Sequence, residues 1–130
     1  MSLSIWFQFF VAFNVLWLTL LAFNVSRLRI VRKVAHGDGG DVVIKAAIRS
    51  HANGVEHVPI FALLLLPLEL GTLSTQWMAG LVLAFSASRV LHAVGMMTRY
   101  FNLRRIGASI TYLCQLLGVF LLFAQLIAAV

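Results

Sequence analysis

Charge is the scarcest ingredient of this chain: Asp, Glu, Lys and Arg make up 11% of its 130 residues. That is less than half of the roughly 25% of an ordinary soluble domain. A soluble fold of this length needs far more polar surface to cover its core, so the shortage excludes one. Cysteine occurs once, as Cys114 in the middle of the last apolar stretch. No intrachain disulfide can form, and apolar surroundings make that thiol an inert packing residue. The start of the chain lacks a basic segment ahead of its apolar run, which argues against a cleavable signal peptide. No Gly-Lys-Ser/Thr follows the glycine-rich segment, so it is not a phosphate loop.

What remains is apolar: 62% hydrophobic residues and a mean hydropathy of +0.97. The fold class is therefore all-α, an integral membrane four-helix bundle. The spans run over about 3–25, 42–71, 76–98 and 106–130, within one domain covering the whole chain. The second is apolar only from Val58 to Leu70, but its helical pattern reaches back to Val42. At about 45 Å it exceeds the ~30 Å hydrocarbon thickness, so its first turns project into the interface. Pro59 and Pro67 lie inside it, where each can kink the helix and neighbouring helices can satisfy the freed carbonyls. The segment from Val34 to Asp41 is a loop whose three glycines supply positive-φ positions, and Asp41 is placed to cap helix two. The stretch Leu70-Gly71-Thr72-Leu73-Ser74 is a short turn that pairs helices two and three as an antiparallel hairpin.

The net charge of +6 does not point to nucleic acid, because the cations flank apolar spans. Arg27, Arg29, Arg32, Lys33, Lys45 and Arg49 border the first connection, and Arg99, Arg104 and Arg105 the third. The second connection and both termini carry no Lys or Arg. Connections one and three are therefore expected in the cytoplasm and both termini on the opposite side.

Arg49-x-x-x-Asn53-x-x-Glu56 stands at the polar entrance to helix two. Steps of four and three residues, at about 100° each, put a guanidinium, an amide and a carboxylate within one narrow stripe. Such a trio suits a zwitterionic ligand with carboxylates and an amine; an Arg49–Glu56 pair that only holds helices together is the alternative. His51 and His57 flank the stripe without a second ligand at metal spacing on their own faces, so no metal site is expected. Arg89 and His92 share a face deep within the third span, where an unpaired charge is costly. Glu56 is the partner expected for Arg89 at that depth, with water or a neighbouring helix as the alternative. Arg104 and Arg105 open the fourth helix ahead of Gly107, Ser109, Thr111 and Tyr112. Arginine at a helix N-terminus makes a strong anion site, able to lower a thiol pKa, or else it is simply a topology anchor. Trp6, Trp17 and Trp77 fit lipid contact and interface anchoring.

The run Ile48-Arg49-Ser50-His51-Ala52-Asn53-Gly54-Val55-Glu56, the Arg89-Val90-Leu91-His92 run and four spans in 130 residues resemble the MAPEG superfamily. These are the membrane-associated proteins of eicosanoid and glutathione metabolism. The likeness covers nearly the whole chain. It is greatest to the small bacterial members, through Arg27-Leu28-Arg29 and Val34-Ala35-His36-Gly37-Asp38-Gly39-Gly40. The resemblance implies a left-handed four-helix bundle assembled as a homotrimer in the bacterial inner membrane, with glutathione bound between subunits near the cytoplasmic side. Arg49, Asn53 and Glu56 would hold the tripeptide, Glu56 taking its amino group, and Arg27 would face it. Arg89 and His92 match a helix-three pair of the prostaglandin E synthase branch. Arg104 or Arg105 matches the arginine proposed to stabilise the thiolate, and Tyr112 the tyrosine that follows. The chain departs from the eicosanoid enzymes at Ala52, where they often carry a second arginine. It also departs at Met96, where they place a tyrosine, and in the interval from Arg105 to Tyr112.

Two functions follow. One is a glutathione transferase or peroxidase acting on lipophilic electrophiles or hydroperoxides drawn from membrane lipids, with glutathione as cosubstrate. The other is a non-catalytic membrane binding or scaffold protein that keeps the fold. A small transporter or channel subunit is a third reading, from the intramembrane Arg89, His92 and Glu56, although no inverted repeat is evident.

Overall fold

The computed structural model describes residues 3–71 and 73–129. Thr72 of the turn and Val130 at the expected end of helix four lie outside the described residues. Four helices, each long and apolar enough to cross a membrane, follow one another: α1 Ile5–Val31, α2 Val42–Leu70, α3 Thr75–Met97 and α4 Phe101–Ala128. No strand occurs among the described residues.

Helices α2 and α3 match the expected spans; α1 and α4 each run further into the basic connections. Helix α1 continues six residues past Val25, because hydropathy marks the hydrocarbon and not the helix, and arginine and leucine are good helix formers. It stops where Lys33 takes φ 54°. There the Lys33 N–H donates to the Ile30 carbonyl (3.2 Å) and the Val34 N–H to the Arg29 carbonyl (2.9 Å), a Schellman ending with lysine in glycine's usual place. Helix α4 begins at Phe101 and not near 106, because Arg99 at φ 60° reverses the chain within three residues of the end of α3. Arg104 and Arg105 consequently lie inside α4, not ahead of it.

The caps explain the other ends. Ser4 Oγ accepts from the Phe7 N–H (3.3 Å) and donates to Glu69 Oε2 (2.9 Å). The Ser4 N–H donates to Glu69 Oε1, so a carboxylate from the end of α2 sits on the positive end of α1. Asp41 Oδ1 accepts from the Val43 and Ile44 N–H groups (2.7 and 3.2 Å), capping α2 as its position suggested. Gly37, Gly39 and Gly40 all adopt positive φ in the preceding loop. Both prolines sit within an unbroken α2, and Gln125 of α4 donates to the Pro67 carbonyl at 3.2 Å.

Asp41 also pairs with Arg32 across the loop at 2.5 Å. Partial desolvation pulls its carboxyl upward, but the two backbone N–H groups and the Arg32 guanidinium outweigh that and hold it below the ordinary 3.8. A depressed folded-state pKa means that the stabilisation is complete above the unfolded value and fades as pH falls through the folded one. Asp41→Asn is therefore expected to melt below wild type at neutral pH, the gap narrowing as the pH drops below 3.8. Thermal melts of both proteins across pH 7 to about 3 check this.

Packing divides along the helices into two apolar layers with a polar layer between them. In the larger apolar layer Phe61 stacks on Phe85 with centroids 4.0 Å apart, Phe10 meets both edge-on or tilted, and Cys114 is buried in the same cluster, a packing residue as expected. The smaller joins Val25 and Leu28 of α1 to Ile44 and Ala47 of α2. Helices α3 and α4 approach backbone to backbone. A β-carbon at Gly95 would come within 2.3 Å of the Arg104 nitrogen, and one at Gly107 within 2.5 Å of the His92 nitrogen. Small residues at such crossings let dispersion and interhelical hydrogen bonds act where lipid offers no hydrophobic drive. Helices α1 and α4 each pack on α2 and α3, and do not contact each other.

Candidate functional site

The polar layer is organised around Arg89, only 2% exposed at the middle of α3. A buried guanidinium is costly unless hydrogen-bonded, and this one reaches three helices. Its Nη1 donates to Thr111 Oγ1 of α4 (3.0 Å), and its Nη2 to Asn53 Oδ1 of α2 (2.5 Å). Nη2 also lies 3.4 Å from His92 Nδ1. The Thr111 hydroxyl in turn lies 2.8 Å from Ser88 Oγ and donates to the Gly107 carbonyl at 2.9 Å. Glu56, the partner expected from depth, is not the one found: no carboxylate lies within ion-pair distance of Arg89 among the described residues. Asn53 stands between them.

That interposition fixes the amide. With Oδ1 held by Arg89, Nδ2 turns to the carboxylate of Glu56, 3.5 Å away. Arg49 completes the stripe at 4.0 Å from Glu56, and the two charged side chains are 57% and 55% exposed on the outward face of α2. Arg49, Asn53, Glu56, Arg89 and His92 therefore form one connected set. The three α2 residues front it, and the α3 pair stands behind. An outward guanidinium, amide N–H and carboxylate complement a ligand carrying both an anionic and a cationic end.

The other sequence-derived residues share no hydrogen bond with this set among the described residues. Tyr112, 53% exposed, lies against His57 with ring centroids 5.6 Å apart, and Gln115 reaches the same imidazole at 3.3 Å. Arg27 donates to Asn24 Oδ1 at 3.0 Å at the end of α1. Both Arg104 and Arg105 hold their guanidinium groups over the Phe101 ring, 5.3 and 5.4 Å from its centroid. Neither is hydrogen-bonded to the α2 stripe among the described residues. Ser88 and Asn14 are buried polar residues that sequence reasoning missed, and Thr111 is one whose part in the network it missed. Asn14 donates to Ser86 Oγ (3.0 Å) and to the Phe10 carbonyl (2.9 Å). Their only signal is polarity inside an apolar span, and serine and threonine there commonly bond their own helix backbone.

Comparison with known proteins agrees with this architecture. Residues 7–124 match the model of the MAPEG family. The chain is similar to the inner membrane protein YecN of Escherichia coli strain K12, 41% identical over 109 residues, covering 82% of this chain and 81% of the relative. The same protein from E. coli O6:H1 strain CFT073 matches equally well. No solved structure matches. Four membrane-crossing helices, the Arg49–Asn53–Glu56 stripe opening the second of them and a match over nearly the whole length lead to one conclusion: the chain belongs to the MAPEG family.

Proposed function

We propose that this protein binds glutathione on the α2 stripe, at an interface between subunits of a homotrimer in the inner membrane. The carrying observation is the exposure of Arg49 and Glu56, 57% and 55%, at only 4.0 Å from each other on a membrane-crossing helix. Charges on that face are costly against lipid. A neighbouring protomer and a zwitterionic ligand together remove them from it. Asn53, held by Arg89, presents its N–H to the same ligand, with Glu56 receiving the amino group and Arg49 a carboxylate. The positive charge of the basic connections supports a site on the cytoplasmic side, with both termini opposite. Arg27, His92 and Tyr112 border it from their own or the adjacent subunit. The inner-membrane placement rests on the relative's name and on the four apolar spans.

In the catalytic form of this reading, Arg104 or Arg105 stabilises the glutathione thiolate. The sulfur lone pair then forms a C–S bond to a lipophilic electrophile that enters from the bilayer, expelling its leaving group with the bonding pair or, at an activated double bond, leaving a carbanion that takes a proton from water. Reduction of a lipid hydroperoxide is the related outcome: the O–O bond breaks to give the alcohol and water, and two glutathiones are oxidised to their disulfide. The second reading, a membrane binding or scaffold protein without turnover, draws on Ala52, Met96 and the stacking of both arginines on Phe101.

Millimolar reduced glutathione is expected to raise the melting temperature of the purified protein saturably, as for any ligand of the folded state alone. Glu56→Gln removes a charge-assisted bond of about 1.5–3 kcal/mol and should weaken that binding about tenfold or more. Equal affinity in Glu56→Gln and in Arg49→Ala would remove the stripe as the site. Binding without conjugation of hydrophobic electrophiles would select the scaffold reading.

A further inference from the structure

Three buried polar atoms lack a protein partner among the described residues: Asn14 Oδ1, Trp17 Nε1 and Arg89 Nε. Their positions are related. Asn14 bonds Ser86, 72 residues on, and Asn24 bonds Met97, 73 residues on, so α1 and α3 run parallel in nearly constant register. That register sets Trp17 opposite Arg89, just as Asn14 is opposite Ser86. On each helix the second residue lies three positions beyond the first, on the same face. Leu18, next along α1, abuts Gly54 of α2, beside Asn53. The register therefore sets all three residues at one depth where α1 meets α3, level with the Arg89 network.

We propose that one water molecule is bound there, accepting from Arg89 Nε–H and Trp17 Nε1–H and donating to Asn14 Oδ1. Two donors and one acceptor are the complement of a water, and buried waters typically make about three such bonds. The acceptor decides between water and a small anion such as chloride. Asn14 Nδ2 is committed to the Phe10 carbonyl at 2.9 Å, so the amide cannot flip, and the oxygen left unpartnered would repel an anion. This water is the third support of the Arg89 guanidinium, after Asn53 and Thr111, and the only one from α1. Through it Asn14 and Trp17 become positioning residues for Asn53, and α1 is tied to the polar layer. The inference rests on the fold alone and stands whether or not glutathione is the ligand.

The test is magnetisation transfer from water to the Trp17 indole N–H in ¹⁵N-labelled protein in lipid nanodiscs, the resonance assigned by its loss in Trp17→Phe. Transfer at this site, far from either end of α1, is the expected result. A folded protein with a Trp17 signal but no transfer overturns the proposal. Replacing chloride by gluconate should leave the Trp17 shift and the melting temperature unchanged; a change in either assigns the site to an anion instead. In folded Asn14→Leu the transfer should fall several-fold, and undiminished transfer would place the water elsewhere. The wild-type measurements decide the matter even if that variant does not fold.

Discussion

Valine in place of Gly107 is expected to be among the most destabilising single changes in this protein. A β-carbon there would lie 2.5 Å from the His92 nitrogen and 2.7 Å from the Ser88 carbonyl oxygen, both backbone atoms of α3. Side-chain clashes are relieved by rotamer changes, but a clash with backbone forces the helices apart. Overpacking costs about 1–3 kcal/mol in ordinary cores, and this contact belongs at or above the upper end of that range. The damage extends beyond packing, because Thr111 stands one turn along α4 and its 3.0 Å bond to Arg89 needs the same close approach. Gly80→Val is the matched control: nothing lies within 4 Å of its β-carbon, so only the weaker cost of a β-branched residue in a helix applies. Reversible unfolding of the three proteins in mixed detergent checks the contrast. Equal stability of Gly107→Val and Gly80→Val would mean that α3 and α4 do not cross there.

Arg89 gives the second large effect, and here two substitutions separate fold from site. Arg89→Ala leaves a cavity and strands Asn53 Oδ1, and should cost about 3 kcal/mol. Arg89→Met keeps most of the volume while removing a buried guanidinium that no carboxylate compensates. Replacing buried ionic groups with apolar ones of similar size is often neutral or better, so stability within about 1 kcal/mol of wild type is expected. The proposed ligand response should nevertheless fall in Arg89→Met. Asn53, freed from the 2.5 Å bond, is then no longer held in the orientation that presents its Nδ2 to Glu56 and the ligand. A methionine variant as unstable as the alanine one would make the charge itself part of the fold. A stable variant with an undiminished glutathione shift would detach Arg89 from the stripe.

The helices were legible because apolar length is what the membrane selects. The single cysteine, the α2 cap at Asp41 and the positive-φ glycines were equally plain. Helix ends at the basic connections were not, since Ser26 to Val31 and Phe101 to Arg105 are polar or mixed yet helical. A hydropathy reading sees the edge of the hydrocarbon and stops there. The α2 stripe followed from spacing within one helix. The partners of Arg89 did not, because Asn53 and Thr111 come from other helices, 36 and 22 residues away. Depth matching correctly brought α2 and α3 together at this level but chose Glu56, since charge is the louder signal in sequence. Trp17 shows the same limit. Its indole nitrogen is buried, whereas composition alone suggested lipid contact.

Helices α1 and α4 flank α2 and α3 without meeting each other. Substitutions on their outward faces should therefore combine additively, whereas α1 and α4 residues that meet a common partner, Arg89 or the Phe61–Phe85 stack, should not. The outward faces of the two outer helices are free to vary independently, to suit lipids of different thickness or composition. Helices α2 and α3, each answering to both neighbours, have far less latitude, and α3 least of all, with Arg89 at its centre.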